Sequence, residues 1–269
     1  MVRNPVVAGQ FYPGTKNSLL REVESMIDSG VKREDAIGVV SPHAGYIYSG
    51  PVAGSILSAI SPKRSYIIMG PNHTGDGAAF GLDTSDSWMT PLGEVKIDRT
   101  LADAIKKNCK YVEDDSLSHA REHSIEVQLP FLQVLQKDFE FVPIVVSYAD
   151  LKVYREIGKA LASSVRDLKM EGDVTIIASS DMTHYESQES AKTKDSVAIE
   201  AICELDEKKL VEKVAELDIT MCGYAPAAIM IVAAKELGAK RGRLVRYQTS
   251  GDASGDYSAV VGYAGIIIN

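Results

Sequence analysis

The sequence predicts an α/β fold with a mostly parallel central sheet and helices on both faces. Three observations lead there. Short apolar runs alternate with longer amphipathic stretches almost from end to end, the order that builds parallel strands with helical crossovers. No low-complexity segment or Pro/Ser-rich linker divides the 269 residues, so residues 1–269 are expected to form one domain. The Gly/Ser/Asp loop "SGDASGDY" joins the last two apolar runs as antiparallel neighbours are joined, which predicts a mixed edge.

Taken in order, helical spacing of apolar residues places the first helix at Lys16–Ser29. The run "AIGVV" (Ala36–Val40) is the first strand of the central set, followed by a helix at Val52–Ile60 and the strand "YIIM" (Tyr66–Met69). Helices are expected at Arg99–Asn108 and His123–Gln136, then the strand "FEFVPIVV" (Phe139–Val146), the helix Leu151–Lys169 and the strand "VTIIAS" (Val174–Ser179). Three helices follow, Glu189–Cys203, Glu207–Glu216 and Pro226–Leu237, before the strands "RLVRYQT" (Arg243–Thr249) and "AVVGYAGIII" (Ala259–Ile268).

Composition excludes several function classes. Lys plus Arg number 29 against 37 Asp plus Glu, a formal charge of -8 with no basic tract, so binding to nucleic acid or an anionic membrane surface is not expected. The start, "MVRNPVVAGQFYPG", is broken by Pro5, Gly9 and Pro13 and lacks the apolar core of a signal peptide. Apolar stretches such as "AAIMIVAA" fall far below the ~20 residues of a membrane span. Three cysteines without paired spacing fit a reducing compartment, and a cytoplasmic location is expected.

The chemistry gathers at strand ends. "GVVSPH" ends in His43, "YIIMGPNH" in His73, and "TIIASSDMTH" reaches Asp181 and then His184. In an open α/β sheet the carboxyl ends of parallel strands share one edge, and ligands bind in the crevice there. A single loop histidine is usually a surface or structural residue, but the same placement three times points to a shared site. Cys222, in "TMCGYAP", precedes Gly223 and Pro226 where an apolar helix begins, and a helix N-terminus stabilises a thiolate. Cys109 and Cys203, each late in a helix, read as small buried hydrophobes. Two neutral imidazoles and a thiolate would suit copper, zinc or iron and are too soft for magnesium or calcium.

A competing motif is "HAREH", His119–His123, which matches the H-x-x-E-H pattern of zinc proteases. That pattern needs one helix, yet "DDSLSHARE" is polar and turn-like and the apolar periodicity starts only at Ile125, so His119 is expected to precede the helix proper. Glu122, His123 and Glu126 would form the first turn of that helix, where acidic residues suit the dipole, or line the crevice around the site.

The motifs "AGQFYPG", "SPHAGYIYSGPVA", "GPNHTG", "TPLGEV", "EHSIEVQLPFL", "SSDMTH", "TMCGYAP" and the closing "SGDYSAVVGYA" occur in one order along nearly the whole chain. In these the sequence resembles the Memo family (mediator of cell motility), whose fold is similar to the class III extradiol dioxygenases. The resemblance implies a metal pocket formed by His43, His73 and Cys222, with Asp181 and His184 beside the metal. Asn72, Glu122 and His123 are expected to support those ligands. The dioxygenases bind iron(II) through two histidines and a carboxylate. Here Cys222 replaces the carboxylate, and a thiolate is itself oxidisable, so ring cleavage does not follow from the fold.

The leading expectation is therefore a redox enzyme holding one transition metal, iron(II) or copper ahead of zinc, with His184 as general acid/base oriented by Asp181. A second is a metal carrier or peptide-binding signalling module using the same crevice, its ligand a small molecule or peptide. By the same resemblance, a partner related to radical-SAM proteins is implied. A third makes Cys222 the nucleophile of a metal-free hydrolase with His184 as its base.

Overall fold

The computed structural model describes residues 1–269 and shows an α/β fold built on one mixed sheet of twelve strands. The strands are β1 (Val2–Arg3), β2 (Gly38–Ser41), β3 (Ser65–Pro71), β4 (Phe80–Leu82), β5 (Ser87–Thr90), β6 (Gly93–Ile97), β7 (Glu113–Asp114), β8 (Glu140–Val146), β9 (Val174–Ser179), β10 (His184–Glu186), β11 (Gly242–Thr249) and β12 (Val260–Ile268). The helices are α1 (Lys16–Met26), α2 (Tyr46–Ser58), α3 (Arg99–Asn108), α4 (Leu129–Leu135), α5 (Leu151–Asp167), α6 (Gln188–Cys203), α7 (Glu207–Glu216), α8 (Tyr224–Glu236) and the short α9 (Gly251–Ser254).

The sheet runs β1-β5-β6-β8-β3-β9-β2-β12-β10, with β11 on the free side of β12 and β4 and β7 beside β8. Its centre, β6-β8-β3-β9-β2, is parallel. All seven residues of β3 are buried, as expected of a parallel strand covered on both faces. Alternation sorts its side chains: Ile67 and Met69 join the core under α3, α5, α6, α7 and α8, whereas Tyr66 and Ile68 join the core under α1, α2 and α4. None of the helices is long and apolar enough to cross a membrane.

The antiparallel pairing of the last two strands is as expected, but β12 also pairs antiparallel with β2, so β11 rather than β12 is the edge. Helix α2 begins at Tyr46, six residues before the expected Val52. Pro51, with its fixed φ, is accommodated within the helix, and the Tyr46 N–H donates to the Phe11 carbonyl (2.8 Å), a tertiary contact that anchors the early turn. The expected helix His123–Gln136 is replaced by a turn, a single 3₁₀ turn at Glu126–Gln128 and then α4. The Glu122 carboxylate accepts the N–H groups of His123 and Ser124 (2.8 Å each), as a cap satisfies the first N–H groups of a turn, and the Gln128 N–H then bonds three residues back to the Ile125 carbonyl (3.2 Å), the tighter 3₁₀ spacing. Strands β1, β4, β5, β6, β7 and β10 were not anticipated. All are short, and several carry polar residues whose pairing depends on distant partners.

Candidate metal centre

Strands β3, β9 and β2 lie side by side, so His73, Asp181 and His43 leave adjacent carboxyl ends into one crevice. Cys222 arrives from the turn before α8. Gly223 is essential to that approach, because a Cβ there would fall against the Ser179 carbonyl and the Ser180 side chain. Cys222 Sγ lies 3.2 Å from His43 Nε2 and accepts the Asp181 backbone N–H at 3.3 Å. One donor atom from each of His43, His73 and Cys222 lies within 4.8 Å of the others.

The hydrogen bonds fix which imidazole nitrogens face a ligand. Ser179 Oγ donates its only proton to the Ser124 carbonyl (2.6 Å), so it accepts from His43 Nδ1 (2.9 Å). His43 is thereby held with Nδ1 protonated and a lone pair on Nε2, the atom beside Cys222. Gln128 secures the arrangement: its amide donates to Ser179 Oγ (2.9 Å) and the Pro42 carbonyl (2.8 Å), and its own carbonyl accepts from Ser41 (2.8 Å). His73 Nδ1 donates to Glu122 Oε1 at 3.0 Å, which leaves its Nε2 free in the same way. This is the carboxylate–histidine arrangement found behind metal-binding imidazoles.

Electrostatics follow from burial. Burial holds the His43 imidazole well below its usual range, reinforced by the neighbouring His73 and His123. Burial also acts to lower His73, but the hydrogen bond and charge of Glu122 outweigh it and the net shift is upward. Burial acts to raise Glu122, which is nonetheless held below the carboxylate range by His73 and the Ser124 N–H. Asp181 is pushed up to about 6 by burial, against the opposing bond from the His43 N–H. Burial, then the Asp181 carboxylate, pushes the Cys222 thiol far up, which corrects the expectation that the α8 N-terminus would favour a thiolate here.

His123 stacks on His73 (ring centroids 4.9 Å apart, planes at 18°) and also meets Phe11, with centroids 4.6 Å apart and planes tilted by 60°. His73, Glu122 and His123 form a second group of mutually close donors sharing His73. Asn72 shapes its own turn instead, donating to the Asp76 carbonyl and accepting from Thr74 and Gly75. His184 is not oriented by Asp181 as expected. Its Nδ1 donates to the Thr220 carbonyl (2.9 Å), and Asp181 Oδ1 accepts the N–H groups of His43 and Ala44 (2.7 and 3.3 Å). The imidazole next to Cys222 is His43, so the Cys222–His184 nucleophile pair has no support in the geometry.

His119 lies before the helix, as expected, but not at a metal position. It is fully buried against Trp88, its Nε2 is bonded to the Gly81 carbonyl (2.8 Å), and burial lowers its pKa to about 4. Sequence reasoning missed Ser179, Ser124 and Gln128 as the groups behind His43. The available signal was a polar residue placed inside an apolar run, such as Gln128 in "EHSIEVQLPFL".

Comparison with known proteins adds relatives over the full length. Residues 3–267 match the Memo-like protein family. A MEMO1 family protein of Methanopyrus kandleri is 44% identical, with 99% of each chain covered. MEMO1 family proteins of Nitrosopumilus maritimus (43%, 99% of each chain) and Methanococcus maripaludis strain C5 (45%, 100% of each) are similar to it as well. Among solved structures, the crystal structure of an uncharacterized protein from Escherichia coli K12 shares the fold at a TM-score of 0.55 and 12% identity, covering 86% of this chain and 98% of that one.

Proposed function

The chain belongs to the Memo-like protein family, and on that premise we propose that it is a metal-binding redox protein whose crevice holds one iron or copper ion through His43, His73 and Cys222. One observation carries the reading: two imidazoles, each fixed with Nδ1 as donor and Nε2 unprotonated, meet a half-buried thiol within a few ångströms. The donor set fits. Neutral imidazoles and sulfur suit iron, copper and zinc, and a hard cation would ask for oxygens instead. When bound, such an ion would supply one-electron chemistry or Lewis acidity.

The chain's own residues do the rest. Ser179 and Glu122 hold the imidazoles in the required tautomer, and the Asp181 N–H donates to the sulfur. Asp181 presents a carboxyl that exchanges a proton near neutral pH, and His184, anchored through Nδ1 on the Thr220 carbonyl, keeps Nε2 available for a hydrogen bond.

A second reading, a binding module without turnover, is favoured by one feature. Tyr148 is 73% exposed and stacks on Tyr224 two residues from Cys222, and Tyr185 beside His184 is 81% exposed. Exposed aromatic side chains suit the capture of a partner or ligand. The deciding experiment is the metal content and oxidation state of protein purified without air or added metal, followed by oxygen consumption with catechols, thiols and reductants. Near one iron or copper per chain with turnover supports the enzyme. Stoichiometric metal without turnover favours the binding module, and no metal above background overturns both metal readings.

A further inference from the structure

Arg3 is only 8% exposed, and its whole donor fork is spent on one distant segment. Nε donates to the His119 carbonyl (2.8 Å), one terminal nitrogen to the Glu122 carbonyl (2.6 Å) and the other to Glu126 Oε2 (2.8 Å). The guanidinium stacks on Trp88, 3.9 Å from the ring centroid. Glu126, fully buried, also accepts the N–H groups of Val6 and Val7 and the hydroxyl of Tyr12. The first twelve residues are therefore stapled to the loop whose Glu122 side chain receives His73.

That loop needs such a staple. Between β7 and the 3₁₀ turn at Glu126 it has neither helix nor strand, so its carbonyls lack a ladder and must find other donors. A planar guanidinium bonds two carbonyls and a carboxylate at once, and a lysine ammonium cannot reproduce that fork. The Glu122 carbonyl held by Arg3 and the carboxylate held by His73 belong to the same residue, so fixing one end orients the other.

We propose that Arg3, paired with Glu126, is a positioning residue of the crevice: it fixes the backbone at Glu122 so that the carboxylate stays on His73 Nδ1 and Nε2 stays turned to the metal. The consequence for metal binding rests on the His43–His73–Cys222 reading, whereas the consequence for His73 does not.

The test uses the full chain and three variants. Arg3→Lys keeps the charge without the fork, and the double variant Arg3→Met/Glu126→Gln removes both charges so that neither is left buried and unpaired. Lys63→Met removes another buried cation, bonded to Asp35 and the Gly172 carbonyl away from this loop. Two quantities are read: the exchange-protected Nδ1–H resonance of His73 in metal-free protein, and cobalt(II) affinity with its thiolate charge-transfer band. Both Arg3 variants should keep a folded amide spectrum, lose the protected resonance and bind cobalt(II) about ten- to a hundredfold more weakly, with Lys63→Met unchanged in both. A wild-type resonance in either folded Arg3 variant overturns the proposal, as does an equal loss in Lys63→Met. If the wild type takes up no cobalt(II), the metal reading falls, and the His73 resonance alone decides whether Arg3 positions Glu122.

Discussion

Cys222 Sγ and His43 Nε2 stand 3.2 Å apart across 179 residues of chain, and neither has a reason to be there as a packing group. His43 has spent Nδ1 on Ser179, so the nitrogen it turns to the sulfur is a lone-pair donor rather than a proton donor. Single changes His43→Ala, His73→Ala and Cys222→Ser should each lower metal content while the fold persists, and only Cys222→Ser should abolish a sulfur-to-metal charge-transfer band with His ligation kept. Full metal retention in all three would remove the site.

Asp181 gives a pH signature in the metal-free protein. Its folded pKa is raised from 3.8 to about 6, so between those values the native state holds the extra proton and stability falls as pH rises through the window. Asp181→Asn keeps an oxygen for the His43 and Ala44 N–H groups and removes the buried charge. The variant should be more stable than wild type at pH 8, by on the order of 1–3 kcal/mol, and the gap should close below about pH 4. Denaturant titrations at several pH values check this, and a variant less stable than wild type at pH 8 would contradict it.

The Glu122–His73 pair behaves oppositely at its two ends. The depressed Glu122 contributes stability above its ordinary value of 4.5, lost as pH falls through the lower folded value. The raised His73 contributes fully below its ordinary 6.5, lost as pH rises through the higher folded value. Glu122→Gln should therefore destabilise the metal-free protein most between these two pH values. Because the His73 side chain is 34% exposed, the loss is discounted from the fully buried case to about 2 kcal/mol. A pH-independent loss would mean that Glu122 acts only through its backbone contacts.

His119→Ala separates the crevice from the H-x-x-E-H motif. His119 is packed on Trp88 and bonded to the Gly81 carbonyl, so its removal should cost about 2–4 kcal/mol of stability and no metal. Metal analysis of the purified variant checks it, and a loss as large as that of His73→Ala would restore the motif as a ligand set.

The parts of this molecule that could be read from sequence are those that local pattern dictates. Continuous apolar runs marked β2, β3 and β9, and their carboxyl ends led to His43, His73 and Asp181, because a parallel sheet puts such ends on one edge; the order β3-β9-β2, which no local pattern gives, makes them neighbours. Cys222 was a candidate from its helix-start position and was joined to the histidines only through family resemblance. What escaped was set by contacts with no local pattern. The segment from His123 reads as helix, but its entry is set by tertiary bonds, the Glu122 carboxylate receiving His73 and its carbonyl receiving Arg3. Arg3 looks like a chain-end surface residue, and its burial depends on partners more than a hundred positions away.

His184 follows β9 at the same sheet edge yet has a different anchor from the one expected. Its backbone N–H donates to Thr220 Oγ1 (2.7 Å) and its Nδ1 to the Thr220 carbonyl (2.9 Å), so the ring's tautomer is set by the loop between α7 and α8, before Cys222, and not by Asp181. On the proposed site, two imidazoles and a thiolate would supply three donors and a catalytic metal would need an open position, so a third histidine would serve better beside the ion than on it. His184→Ala should keep wild-type metal content and lose most of any oxygen consumption. Thr220→Val, which removes the hydroxyl acceptor but leaves the carbonyl, should reduce turnover about tenfold at unchanged metal content. Asp181→Asn should leave the His184 ring where it is, as read from its histidine NMR signals. Loss of metal from His184→Ala would make His184 a ligand, and the Thr220 turn would then be the support of a metal-binding residue.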